Sequence, residues 1–170
     1  MKSYLFALFM GMPAAGWAQA ASSTTTLAQR LNQLMRDPQE PETELRVGFS
    51  DCHFTQVIRK YRPQPASGAT AIQVSHQKNG SEWAVKTDDR VEFELKLGTD
   101  WAQVQEITYA PARREKTNER YYEITIRRQK KTAQSSSNTT FELPLYTANE
   151  AEVQRLTAQL NQLRRTCAGR

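Results

Sequence analysis

The sequence predicts a single α+β domain. Its expected core is an antiparallel β-meander of about seven or eight strands, curved into a half-barrel, with a short N-terminal helix and a longer C-terminal amphipathic helix packed on it. The prediction has three sources. Apolar and polar residues alternate in successive runs between Leu45 and Leu145, as half-buried strands require. Turn-forming residues separate those runs. At both ends of the chain the apolar spacing changes to three and four, the period of a helix face.

The elements follow in order. Leu27, Leu31, Leu34 and Met35 recur at helical spacing and predict a short helix over residues 25–36, preceded by the polar stretch 21–26. Pro38 and Pro41 end it, because proline disfavours helical dihedrals in the residue before it. Leu45, Val47 and Phe49 alternate with Arg46 and Gly48. Cys52, Phe54, Val57 and Ile58 read as the same strand continuing past a bend or bulge near Ser50-Asp51. After a loop at 63–68, Ile72 and Val74 lead to Asn79-Gly80, a strong short hairpin signal, and Trp83 and Val85 return.

Val91, Phe93, Leu95 and Leu97 alternate with charged residues, giving one wet and one buried face. Gly98 to Asp100 turn into a strand from Trp101 to Tyr109. Residues 110–119 read as a charged loop and 128–140 as a polar, mobile one, with Tyr122, Ile124 and Ile126 as a strand between them. Phe141, Leu143 and Leu145 form the last strand, and Pro144 places it at an edge. Thr147 and Glu150 have the form of a capping box. Val153, Leu156, Leu160, Leu163 and Cys167 then continue one stripe of a helix over 148–166. In architecture alone, this order resembles a pleckstrin-homology-type barrel closed by its last helix. A β-sandwich with helices on one side is the other arrangement it allows.

The chain divides into three segments: residues 1–20, 21–43 as leader and short helix, and 44–170 as the α+β domain closed by the C-terminal helix. Residues 1–20 have the form of a secretory signal peptide. Lys2 is the positive end, Tyr4 to Met12 the apolar run, and Ala18-Gln19-Ala20 the small-x-small cleavage site. Cleavage after Ala20 leads to a bacterial periplasm, and no later run is apolar enough to cross a membrane. The periplasm is oxidising, so the chain's two cysteines, Cys52 and Cys167, are expected to form a disulfide.

The pattern argues against an enzyme. The chain has no glycine-rich phosphate loop, nucleophile elbow or zinc-helix motif. Asp51, His53 and His76 form the weakest candidate, a metal site of two imidazoles and a carboxylate serving a small hydrolase. Glu92 and Glu94 lie on the polar face of their strand and read as solvated, so glycosidase chemistry is not expected. No cofactor is expected.

Charge is the more informative feature of the 170 residues, which carry 23 Lys+Arg against 18 Asp+Glu. Arg113, Arg114, Arg120, Arg127, Arg128, Lys130 and Lys131 crowd one stretch and are the candidate contacts for an anionic partner. Export excludes nucleic acid as that partner. The expected function is a non-enzymatic periplasmic module that binds another envelope or secreted protein, as an inhibitor, an immunity protein or an accessory subunit of an envelope complex. Binding of anionic envelope lipid or polymer through the basic stretch is the second expectation.

Overall fold

β5 (Val91–Asp100) is the strand around which the sheet is built. Its even-numbered residues include Glu92 and Glu94, and these two meet complements on β2 (His53–Tyr61). Arg59 Nε donates to Glu94 at 2.5 Å and Lys60 Nζ lies 3.0 Å from Glu92. Its odd-numbered residues, Phe93, Leu95 and Leu97, turn to the other face.

The structure, a computed structural model, describes residues 16–65, 67–68, 71–78, 81–131 and 136–169. The remaining elements are α1 (Gly16–Leu34), β1 (Thr43–Ser50), β3 (Ile72–Lys78), β4 (Ser81–Thr87), β6 (Val104–Arg113), β7 (Arg120–Lys131), β8 (Ser136–Leu145) and α2 (Glu150–Ala168).

The fold is α+β and antiparallel, but the strands divide into two sheets and do not close a barrel. One sheet has five strands in the order β1-β2-β5-β4-β3, and the other has three, β6-β7-β8. This departs from a single meander. β2 pairs with β5 rather than β3, so the β3–β4 hairpin is carried to the far edge. The charge matching between β2 and β5 favours that order. A single 3₁₀ turn, Trp101–Gln103, then breaks the strand expected from Trp101 to Tyr109. Burial of the whole Trp101 side chain at this turn redirects the chain into the second sheet.

The two sheets meet at an aromatic cluster. Phe54 is edge-on to Phe141 at 5.1 Å and 5.6 Å from Trp101. Val153, Leu156 and Leu160 of α2 and Leu27 and Leu31 of α1 complete the core with Ile124, Ile126, Leu143 and Leu145. Arg30 Nε donates to Glu152 at 2.5 Å and ties the helices together.

Local expectations are corrected at several points. The chain reverses at Asp51-Cys52, and Ser50 pairs with His53 in a tight hairpin. Asp51, at φ 51°, supplies the left-handed turn conformation that aspartate tolerates. Cys52 is therefore a turn residue. α1 begins at Gly16, because nothing between Gly16 and Leu34 breaks a helix, so the stretch 21–26 is helical. Ala110–Arg113 stay in β6, and most of 128–140 is strand in a long β7–β8 hairpin. The N-cap of α2 is Asn149, whose side chain accepts from Glu152 N at 3.1 Å. Thr147 Oγ1 accepts instead from Asn149 N, at 3.2 Å.

Pro144 does lie on an edge strand, β8. Lys78 pairs with Ser81 across the expected hairpin, while Asn79 and Gly80 lie outside the described residues. So do residues 1–15 of the expected signal peptide and residues 132–135 of the expected loop. No helix among the described residues is long and apolar enough to cross a membrane.

Candidate partner-binding groove

Register partners in an antiparallel sheet share a face. Two rows of side chains therefore cross the whole five-stranded sheet. One consists of Leu45, Ile58, Leu95, Val85 and Val74. The other consists of Val47, Gln56, Leu97, Trp83 and His76. At the β1–β2 end the rows enter the core, and Val47 and Gln56 are each 4 % exposed. Beyond β5 nothing covers them among the described residues. Trp83 is 40 % exposed, Val74 52 % and Ile72 57 %. The same apolar face thus begins as core and ends as surface.

The second sheet borders the middle of this face. Gln56 Nε2 donates to the Glu142 carbonyl at 2.8 Å and joins the sheets. Past that bond a groove of about 400 Å³ opens, with Leu45, Ile58 and Leu97 on one wall and Glu123 and Glu142 on the other. The register Thr125↔Glu142 and Glu123↔Pro144 makes the two glutamates diagonal neighbours on one face. Neither has a cationic partner among the described residues. Burial pushes the Glu123 carboxyl above its usual range, and the Glu142 charge adds to that shift.

Asp37 and Tyr146 line the end of the groove, and Arg114 braces them. Arg114 grips Asp37 with two parallel bonds of 2.8 and 2.9 Å and lies over the Tyr146 ring at 4.9 Å. Burial and a hydrogen bond donated to Asp37 push the Tyr146 hydroxyl up to about 12. Burial opposes the charge on Asp37, but the bonds from Arg114, Gln39 N and Tyr146 hold its carboxyl below the ordinary value. Arg114 thus balances the Asp37 charge at this end of the groove, whereas Glu123 and Glu142 leave their wall negative.

The three residues of the metal candidate are not brought together. Asp51 lies in the β1–β2 turn, and with His53 it borders a depression beside the Cys52–Cys167 disulfide. His76 borders a different one and stacks on Trp83 at 6.0 Å. His53 instead faces two carboxylates. Its Nδ1 is 2.9 Å from Asp100 Oδ1, and its Nε2 is 3.5 Å from Glu82. Gly98 makes room for this arrangement, because a Cβ there would sit 2.7 Å from the imidazole and 2.3 Å from Glu82. Lys96 lies 2.9 Å from Glu82, and its bond, ahead of the effect of His53, holds that carboxyl low. Both imidazole nitrogens of His53 thus face carboxylates. No group of three or more His, Cys, Asp and Glu among the described residues is arranged to hold a metal ion.

The disulfide joins Cys52 to Cys167 with Cα atoms 5.4 Å apart, tying the β1–β2 turn to the end of α2.

The basic residues do not form one patch: Arg113 and Arg120 are register partners at one end of the β6–β7 pair, and Arg127 and Arg128 lie at the other. Arg114 is committed to Asp37. Arg113 Nη1 donates to Asn118 at 2.9 Å, Arg127 pairs with Glu106 at 3.4 Å, and Arg128 donates to Thr139 at 2.9 Å. Burial lowers the Arg128 pKa. Arg127 and Arg128 are successive strand residues and point to opposite faces. Arg120 is exposed at the start of β7, and the side chains of Lys130 and Lys131 lie outside the described residues.

The sequence signal for the groove was the alternation in 45–58 and 91–97, read there only as core. Comparisons with family models, with curated proteins and with solved structures find no match to the chain.

Proposed function

We propose that this protein is a non-enzymatic, exported module that binds another envelope or secreted protein, and that the groove receives a basic, apolar segment of that partner. The observation that carries this reading is the groove in which Leu45, Ile58 and Leu97 face Glu123 and Glu142, two carboxylates with no cationic partner among the described residues. A Lys or Arg side chain on an aliphatic segment complements both walls. It would place its stem on Leu97 and Ile58 and its charge between Glu123 and Glu142. An inhibitor, an immunity protein or an accessory subunit of an envelope complex would each use such a surface.

The export pattern of residues 1–20 supports the periplasm as the compartment, and a disulfide between distant segments suits its oxidising chemistry. Cleavage after Ala20 leaves Leu27 and Leu31 on the remaining part of α1, so the core keeps both.

The test is a peptide-display selection on the wild type, on Leu97→Lys and on Glu123→Gln/Glu142→Gln. Sequences pairing Lys or Arg with aliphatic residues should be enriched on the wild type and lost on both variants. Absence of enrichment, or binders indifferent to both changes, would remove the groove from consideration.

A further inference from the structure

A sheet edge is a row of unpaired N–H and C=O groups, and proteins protect such edges from pairing with other chains. Two sheets give this protein four edges, β1, β3, β6 and β8. Three carry bonds from the protein's own side chains to their outward backbone groups. On β1, Asn32 donates to Val47 O at 3.0 Å and accepts from Val47 N at 2.7 Å. On β8, Gln56 donates to Glu142 O, and Pro144 has no N–H to offer. On β6, Asn161 donates to Ile107 O at 3.3 Å and Arg164 to Gln105 O.

β3 is treated differently. All seven of its residues are exposed, and it pairs with β4 without interruption from Ile72 to Lys78. It contains no proline and no bulge. Among the described residues, no side chain bonds to the backbone of Ile72–Gln77. The apolar rows also run out to this edge, at Val74 and His76.

We propose that β3 pairs antiparallel with β3 of a second copy of this chain, about a two-fold axis through Ser75. The edge calls for a strand that is apolar on one face and polar on the other. β3 meets that demand itself, with Ile72 and Val74 on one side and Gln73, Ser75 and Gln77 on the other. A register centred on Ser75 engages the whole strand and keeps both apolar faces on the same side of the sheet. Gln73 then lies opposite Gln77 of the second copy, Val74 opposite His76, and Ile72 opposite Lys78. The two lysines stand at opposite ends, so like charges do not oppose each other. Each five-residue row runs into the partner's row, and the exposed Val74 and Ile72 gain cover. The interface is isologous and closes at two copies. The groove walls at Glu123 and Glu142 belong to the other sheet and take no part in it.

Site-directed crosslinking of the full, disulfide-intact protein tests this pairing. Under mild oxidation Ser75→Cys should give a covalent dimer. Gln73→Cys alone should not, but should crosslink when mixed with Gln77→Cys. In sedimentation across a concentration series, the wild type should move from monomer to dimer. Val74→Lys adds a charge at an exposed position, so the fold should persist by circular dichroism while self-association weakens about tenfold or more. Sedimentation as a monomer at every concentration would overturn the proposal. So would Ser75→Cys crosslinking no better than Gln73→Cys, which is the outcome expected if β3 instead receives a strand from another protein.

Discussion

The carboxamide of Asn32 engages both backbone groups of Val47, donating to its carbonyl at 3.0 Å and accepting from its N–H at 2.7 Å. One helix side chain thus stands in for a neighbouring strand on β1. Asn32→Ala leaves two backbone groups beside the core without partners. The expected cost is about 1–3 kcal/mol, from the penalty of an unmet buried hydrogen bond, read as a lower urea midpoint with unchanged m. Asn32→Asp keeps the acceptor, loses the donor and should fall between the two.

The disulfide joins two cysteines separated by 115 positions in sequence. In the chain-entropy model a loop on the order of 100 residues contributes about 4–5 kcal/mol. Reduction, or Cys52→Ala/Cys167→Ala, should lower unfolding stability by that order in urea titrations. Intact mass of periplasmic material should correspond to a chain beginning at Ala21 with both cysteines bonded. A full-length mass with two free thiols would remove the assigned compartment.

Glu123 has its carboxyl raised by burial and by Glu142. A group held above its unfolded value contributes stability at low pH, which is lost as pH rises through the folded value. Wild-type stability should therefore decline on the alkaline side of about pH 4.3, the ordinary glutamate value. Glu123→Gln should remove this dependence and raise stability at pH 7 by about 0.2–1 kcal/mol, the scale of one cross-strand like-charge pair. Thermal melts from acid to neutral pH check both. A less stable variant at pH 7 would show that the carboxylate is compensated.

Asp88 has the opposite sign. Hydrogen bonds from Val91 N, Lys86 and Arg90 N hold its carboxyl down to about 2. Its contribution is present above the unfolded aspartate value and is lost as pH falls towards about 2. An NMR titration should show the Val91 and Arg90 amides moving together at that low pH. Asp88→Asn should abolish their joint transition; a midpoint near 4 in the wild type would contradict the turn geometry.

Much of the local structure was legible in the sequence. The stripe Val153, Leu156, Leu160 and Cys167 placed α2 and its buried face, and the alternation from Val91 to Leu97 gave β5. Parity of two cysteines gave the disulfide. Boundaries were misread where a short-range signal had a competitor. Thr147 and Asn149 can both cap a helix, and Asn149 takes the α2 cap. Ser50-Asp51 fits a bulge as well as a hairpin, and the left-handed Asp51 makes it a hairpin. The basic stretch looked like one patch because sequence proximity hides strand alternation, which sends Arg127 and Arg128 to opposite faces.

Hydrophobic period and turn chemistry are local properties, so the sequence by itself determined the strands and helices that carry an apolar pattern and which face of each is apolar, while the polar stretch 21–26 and most of 128–140 took their structure from their neighbours. Pairing between distant strands is not local. Only the tertiary structure decided that β2 would join β5, that Trp101 would split the strands into two sheets, and that Glu123 and Glu142 would face Leu97 and Ile58. For the same reason, the residues that read as uniform core divide into a covered half and an open half. How far the second sheet reaches across the first is set by packing at Phe54, Phe141 and Gln56, and no run of neighbouring residues records it.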